Sequence, residues 1–120
     1  MEYIKIGLCA GRHPMPVEEY IFTGTVNPTD FSAMETVVEQ FVLSRVGLTT
    51  DTREALDQRH GEDVPCYTGK HGLIVYVTGL TACTAAVIKV CALNGVPLTL
   101  MHYDTASGQY APQEIFGRCE

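Results

Sequence analysis

A chain of 120 residues that is 46% hydrophobic and 18% charged reads as one globular domain, residues 1–120, able to bury a core without disulfide staples. Its formal net charge of −6 excludes a broad basic face for long nucleic acid, but leaves room for a small anion held by backbone N–H groups and one or two cations. No apolar run has the length of a membrane span, and the five cysteines, with no CxxC pair and no secretory leader at Met1-Glu2-Tyr3, point to a reduced, cytoplasmic protein.

Residues 3–9, YIKIGLC, alternate and then turn continuously apolar, which predicts a first strand. Gly11, Pro14 and Pro16 make AGRHPMP a loop. VEEYIFTGTV follows as a second strand or an extended approach to a helix. That helix is well marked. NPTDFSAMETVVEQFVLSRVG offers Asn27 or Thr29 as N-cap and an apolar face of Phe31, Met34, Val37, Val38, Phe41 and Val42. Arg45 and Gly47 suit its end. The polar stretch 48–72 reads as a loop or insertion with a short helix around 51–59.

From Leu73, LIVYV is an apolar strand of the kind covered on both faces. Residues 82–93 are a helix apolar almost all round, Lys89 excepted, and Asn94-Gly95 and Pro97 end it. PLTLMHY is the next strand, and strand–helix–strand is the spacing of a right-handed parallel crossover. DTASG then turns the chain into QYAPQEIF, an antiparallel edge strand that Pro112 interrupts. These elements make an α/β fold: a mostly parallel sheet, helices on both faces, and a C-terminal antiparallel edge hairpin.

Ligands of open α/β sheets collect outside the carboxyl ends of the parallel strands. Three stretches are expected there: Ala10-Gly11-Arg12-His13, Thr78-Gly79-Leu80-Thr81, and His102-Tyr103-Asp104. The helix after Leu80 would present unpaired N–H groups and a partial positive charge. Gly79 admits a ligand to the backbone, Thr78 and Thr81 offer hydroxyls, Arg12 a cation, and His13 or His102 a group that titrates near neutrality. Plainer roles stand beside these. Thr81 is a good N-cap and Gly79 a turn residue; Arg12 can pair with Glu18 or Glu19; His13 can be an idle loop residue and His102 a half-buried strand residue. Nothing distinguishes His60 or His71. Neither GxxxxGK[ST] nor GxGxxG occurs, which argues against an ATPase or an ordinary dinucleotide dehydrogenase. No cysteine or histidine spacing suggests a metal, and no cofactor is expected.

A hydrophobic strand followed by VTGLT and an Ala-rich helix resembles the second signature of the CRISPR-associated Rossmann-fold (CARF) domains, in which a strand ends in a TGGT-like turn at the ligand site. TASGQY resembles that family's continuation, and the likeness covers residues 73–112. Leu80 stands where a glycine is usual, and the first half offers only AGRHPMP as a phosphate-side loop. The resemblance implies a Rossmann-like homodimer with its ligand on the two-fold axis. That ligand would be a cyclic oligonucleotide second messenger of CRISPR antiviral defence, such as a cyclic oligoadenylate, bound and sometimes cleaved. A ring nuclease of this kind would hold the ligand's own 2′-OH in line with the leaving 5′-oxygen, without a metal. Backbone N–H groups at Gly79 to Thr81 with Arg12 would stabilise the phosphorane, and His13, or secondly His102, would serve as general base or acid. Gly11, Leu80 and Asp104 complete the expected ligand surround. Three alternatives stay open: a sponge or sensor that binds without cleaving, an acidic inhibitor or interaction protein, and an enzyme acting on a small phosphorylated metabolite.

Overall fold

The two apolar strands of the sequence pair with each other at the centre of a five-stranded sheet. The structure, a computed structural model, describes residues 2–10, 15–24, 26–46, 71–78 and 80–117. Within them β1 (Glu2–Cys9) runs parallel to β3 (His71–Tyr76), in register from Glu2 opposite His71 to Gly7 opposite Tyr76. β2 (Tyr20–Phe22) lies parallel on the other side of β1. β4 (Leu98–Asp104) lies parallel to β3, and β5 (Gln109–Phe116) closes the far edge antiparallel to β4. The order is therefore β2-β1-β3-β4-β5. The mostly parallel sheet and its antiparallel C-terminal hairpin are as the sequence predicts. β3 starts at His71 rather than Leu73, so His71 belongs to a strand and not to the polar loop. The helix expected around 51–59 lies outside the described residues.

Strand alternation sorts the side chains onto two faces. Ile4 and Ile6 of β1 stand opposite Leu73 and Val75 of β3, which stand opposite Leu98 and Leu100 of β4. Two helices cover this row. α1 (Phe31–Arg45) contributes Met34, Val38 and Val42, one ridge at four-residue spacing. α2 (Thr81–Asn94) contributes Cys83, Ala86, Val87, Val90 and Cys91, and all of these share one buried cluster with the strands. The helices also touch each other, with Lys89 Nζ 2.7 Å from Glu35 Oε1. Phe31 and Val37, read from the sequence as part of the buried stripe, are 57% and 39% exposed: the stripe that α2 and the sheet cover is narrower than the apolar pattern. Neither described helix is long and apolar enough to cross a membrane.

The helix ends follow local chemistry. Asp30, not Asn27 or Thr29, is the N-cap of α1, and its Oδ1 accepts from Ala33 N–H at 3.2 Å. Asn27 Oδ1 instead accepts from Thr29 N–H at 3.2 Å in the turn before it. α2 ends as expected. Gly95 adopts the left-handed conformation (φ 66°, ψ 37°), and Val96 N–H reaches back to the Cys91 carbonyl at 3.0 Å. Cys9, Cys83 and Cys91 are buried and pack as small hydrophobes in the core.

Two glycines on the opposite face of the sheet are floors for tyrosine rings. A Cβ on Gly7 would overlap the ring of Tyr20, and one on Gly72 would overlap that of Tyr3. Gly7→Ala is expected to lower stability by about 1–3 kcal/mol, read from the urea midpoint, because the Tyr20 ring and Met15 must both shift. An unchanged midpoint would mean the ring swings away freely. Burial also pushes the Cys91 thiol from 9.0 to about 12, so the unfolded chain gives up this proton first as pH rises. Stability should therefore fall from about pH 9 upward, towards about 12, and Cys91→Ala should reduce that slope in denaturation curves taken across the range.

Candidate functional site

The strand order creates a crevice. The connection after β1 leaves towards β2 on one side, whereas the connection after β3 leaves towards β4 on the other. Two adjacent parallel strands whose successors diverge leave an opening at their carboxyl ends, the usual ligand position in open α/β sheets. The segments that leave these two ends are 10–19 and 77–80, and of the first two expected stretches the described residues Ala10, Thr78, Leu80 and Thr81 stand at this opening. Gly11, Arg12, His13 and Gly79 themselves lie outside the described residues.

On the β3 side the chain stays paired as far as Val77, whose N–H donates to the Met101 carbonyl at 3.0 Å. It then turns sharply, with Leu80 N–H donating to the Thr78 carbonyl at 2.8 Å, and α2 begins. Leu80, not Thr81, is the N-cap, and no side chain caps this helix end. Thr81 is the first helical residue and is exposed, so the plain capping role does not explain it. The first turn of α2 carries no acidic residue. An uncapped helix start keeps its N–H groups and its partial positive charge for another acceptor. Thr78 is 4% exposed, and its hydroxyl has no hydrogen-bond partner among the described residues.

The third stretch lies one strand further out. β4 and β5 run on past the end of β3 as a hairpin arm that carries His102, Tyr103 and Asp104. His102 is exposed rather than half-buried, and its Nε2 lies 2.7 Å from Gln113 Oε1 on the neighbouring strand. Asp104 Oδ1 accepts from Ala106 N–H at 3.0 Å, shaping the turn between the two strands. Glu19 is engaged by Arg45 through two guanidinium hydrogen bonds, one of 3.0 Å, which hold its carboxyl below the usual range. The Arg12 partnership considered from the sequence thus meets a Glu19 that already has a cation.

Sequence reasoning missed a group of aromatic residues on this arm. The Tyr110 ring stands 4.9 Å from that of Tyr76 and 5.4 Å from that of Tyr103, both edge to face. Its phenol is held above its ordinary range by burial and then by the neighbouring phenols of Tyr103, Tyr76 and Tyr20. The alternation of Tyr103 and Tyr110 about the DTASG turn was the available signal. His71 Nδ1, a buried nitrogen without a partner among the described residues, lies at the far end of β3 beside Glu2 and belongs to no part of this opening.

Comparison with protein-family models, with curated proteins and with solved structures finds no match. Among the described residues no group of three or more His, Cys, Asp or Glu is placed to hold a metal. A separate cleft of about 250 Å³ lies at the start of α1, lined by Phe22, Val26, Met34 and Val37 with Asp30 at hand. Its apolar walls and carboxylate make it unsuitable for an anion. Thr78→Val should raise the stability of the free protein by about 1–2 kcal/mol, because it removes a buried hydroxyl that nothing among the described residues satisfies. Thermal melting of the two proteins checks this, and a lower midpoint would show that the hydroxyl is satisfied after all.

Proposed function

We propose that this chain binds a cyclic oligonucleotide at the carboxyl ends of β1 and β3, as a homodimer of Rossmann-like, CARF-type domains with helices on both faces, and that it cleaves this ligand without a metal. The observation that carries the reading is the pairing of an uncapped start of α2 with the buried, unpartnered hydroxyl of Thr78 at the divergence of the strand connections. Such a place suits a phosphodiester: N–H groups and a helix dipole meet the negative oxygens, and no carboxylate in the first turn opposes them. Gly79, Thr81 and Arg12 take the phosphate in this proposal, the Leu80 N–H being given already to the Thr78 carbonyl. The ligand's 2′-OH attacks the adjacent phosphorus as its proton passes to His13, and the 5′-oxygen leaves with a proton from solvent, giving a 2′,3′-cyclic phosphate and a 5′-hydroxyl.

Capture without cleavage is the second reading, and the engagement of His102 with Gln113 favours it, because that imidazole is already committed to a neighbour on an exposed strand. The two readings separate in one experiment. The purified protein is incubated with a panel of cyclic oligonucleotides in the presence of a chelator, and products are resolved by chromatography and mass spectrometry. Linear products ending in 2′,3′-cyclic phosphate are expected, with Arg12→Ala and His13→Ala each slowing their formation about 100-fold. Tight binding with intact recovery would replace the nuclease by the capture reading. Neither binding nor cleavage would sink both, and an acidic interaction protein would take their place.

A further inference from the structure

The hairpin arm that runs past β3 carries more than the strand ends require. By alternation and register, Tyr76 of β3, Tyr103 of β4 and Tyr110 of β5 share the face of the sheet opposite α1 and α2. Tyr103 pairs directly with Tyr110, and Tyr76 pairs with Met101, the preceding residue of β4 on that face. The three rings form a wall graded from the interior outward: Tyr76 is 7% exposed, Tyr110 half-buried, and Tyr103 48% exposed. Within this corner the Tyr110 hydroxyl is buried and has no partner among the described residues, and the same holds for the Thr78 hydroxyl at the end of the adjoining strand. Aromatic packing alone accounts for the rings. It does not account for a phenol whose polar end is buried without a hydrogen bond, which is destabilising by itself.

The chemistry of the corner narrows what would satisfy it. β3, β4 and β5 contain no Lys or Arg, so nothing on these strands compensates a phosphate. An accessible ring beside an enclosed hydroxyl suits a flat, uncharged group with a polar edge. A nucleobase has both a π-face for stacking and hydrogen-bonding atoms on its rim. Thr78 lies between this corner and the start of α2, the end that suits phosphate. We propose that Tyr76, Tyr103 and Tyr110 form the base-binding subsite of the nucleotide site, with the base stacked on Tyr103 and its edge bonded by the Tyr110 hydroxyl. This rests on the nucleotide reading above, and it adds that the base, not only the phosphate, is read by the protein.

The test uses two probes, cyclic tetra-adenylate and free adenosine, titrated by calorimetry into the wild type, Tyr103→Ala, Tyr103→Phe and Tyr110→Phe, with thermal melting as the control for folding. The chain has no Trp and six Tyr, so quenching of tyrosine emission by a stacked base reports the same event in the wild type. Expected are binding of cyclic tetra-adenylate by the wild type, a loss of about tenfold or more in Tyr103→Ala, and recovery in Tyr103→Phe. Tyr110→Phe should bind several-fold more weakly yet melt at a higher temperature, a combination that a merely structural tyrosine would not produce. Equal affinity of wild type, Tyr103→Ala and Tyr110→Phe for cyclic tetra-adenylate would overturn the subsite and leave the nucleotide reading standing. Adenosine binding that depends on Tyr103, without any binding of the cyclic probe, would keep the subsite and overturn the cyclic ligand. Binding of neither probe would overturn both.

Discussion

Parallel pairing of β1 with β3 joins the first strand of the chain to one that begins at His71, and chain entropy opposes closing so long a loop. What holds it is a continuous ladder from Glu2 to Gly7 and a shared apolar row, Ile4 and Ile6 against Leu73 and Val75. Among the described residues β2 has no strand neighbour except β1, and α1 and α2 pack on the row that β1 and β3 form together. The fold therefore has little to assemble around until this distant contact exists, and its folding should be governed by topology rather than by local helix formation.

The same contact makes the opening at the carboxyl ends. Were β1 at the edge, the connections after it and after β3 would leave in the same direction and no divergence would arise. The two described faces of the sheet then acquire different characters. One is closed by helices over aliphatic side chains. The other carries tyrosines, two of them lying over glycines and three meeting at the arm of β4 and β5. Helix dipole and backbone N–H groups are gathered at the start of α2, and aromatic surface with hydroxyls on the arm, so the opening is flanked by unlike chemistries.

Much of this was legible in the residues. YIKIGLC announces a strand by its alternation, LIVYV one covered on both faces by its continuous apolar run, and Gly95 announces the end of α2 because it must adopt a positive φ. Pro112 announces an edge. The order of the strands was not legible, since periodicity says which face a residue takes but not which strand lies beside it. The cap of α2 was misread for a related reason. Thr81 is chemically the better cap, but the pairing of Val77 with Met101 fixes where the strand ends, and the cap falls on Leu80 whatever its side chain. Thr78 was recognised as a candidate, yet its burial without a partner is a tertiary fact. The tyrosine wall was missed because its members come from three strands and meet only through the register of the hairpin.

The two edges of the sheet have a consequence for how copies of the chain can meet. β2 is three residues long, and β5, which runs unbroken through Pro112 despite the expected interruption, carries there a residue with no N–H to offer, carries Glu114, and slips register opposite Leu98 and Thr99. Short, charged or irregular edges are poor templates for a further strand. Neither side invites growth of the sheet from molecule to molecule, so the fold is guarded against open-ended polymerisation through its backbone. Any association of copies would then run through side-chain surfaces, which can close on themselves.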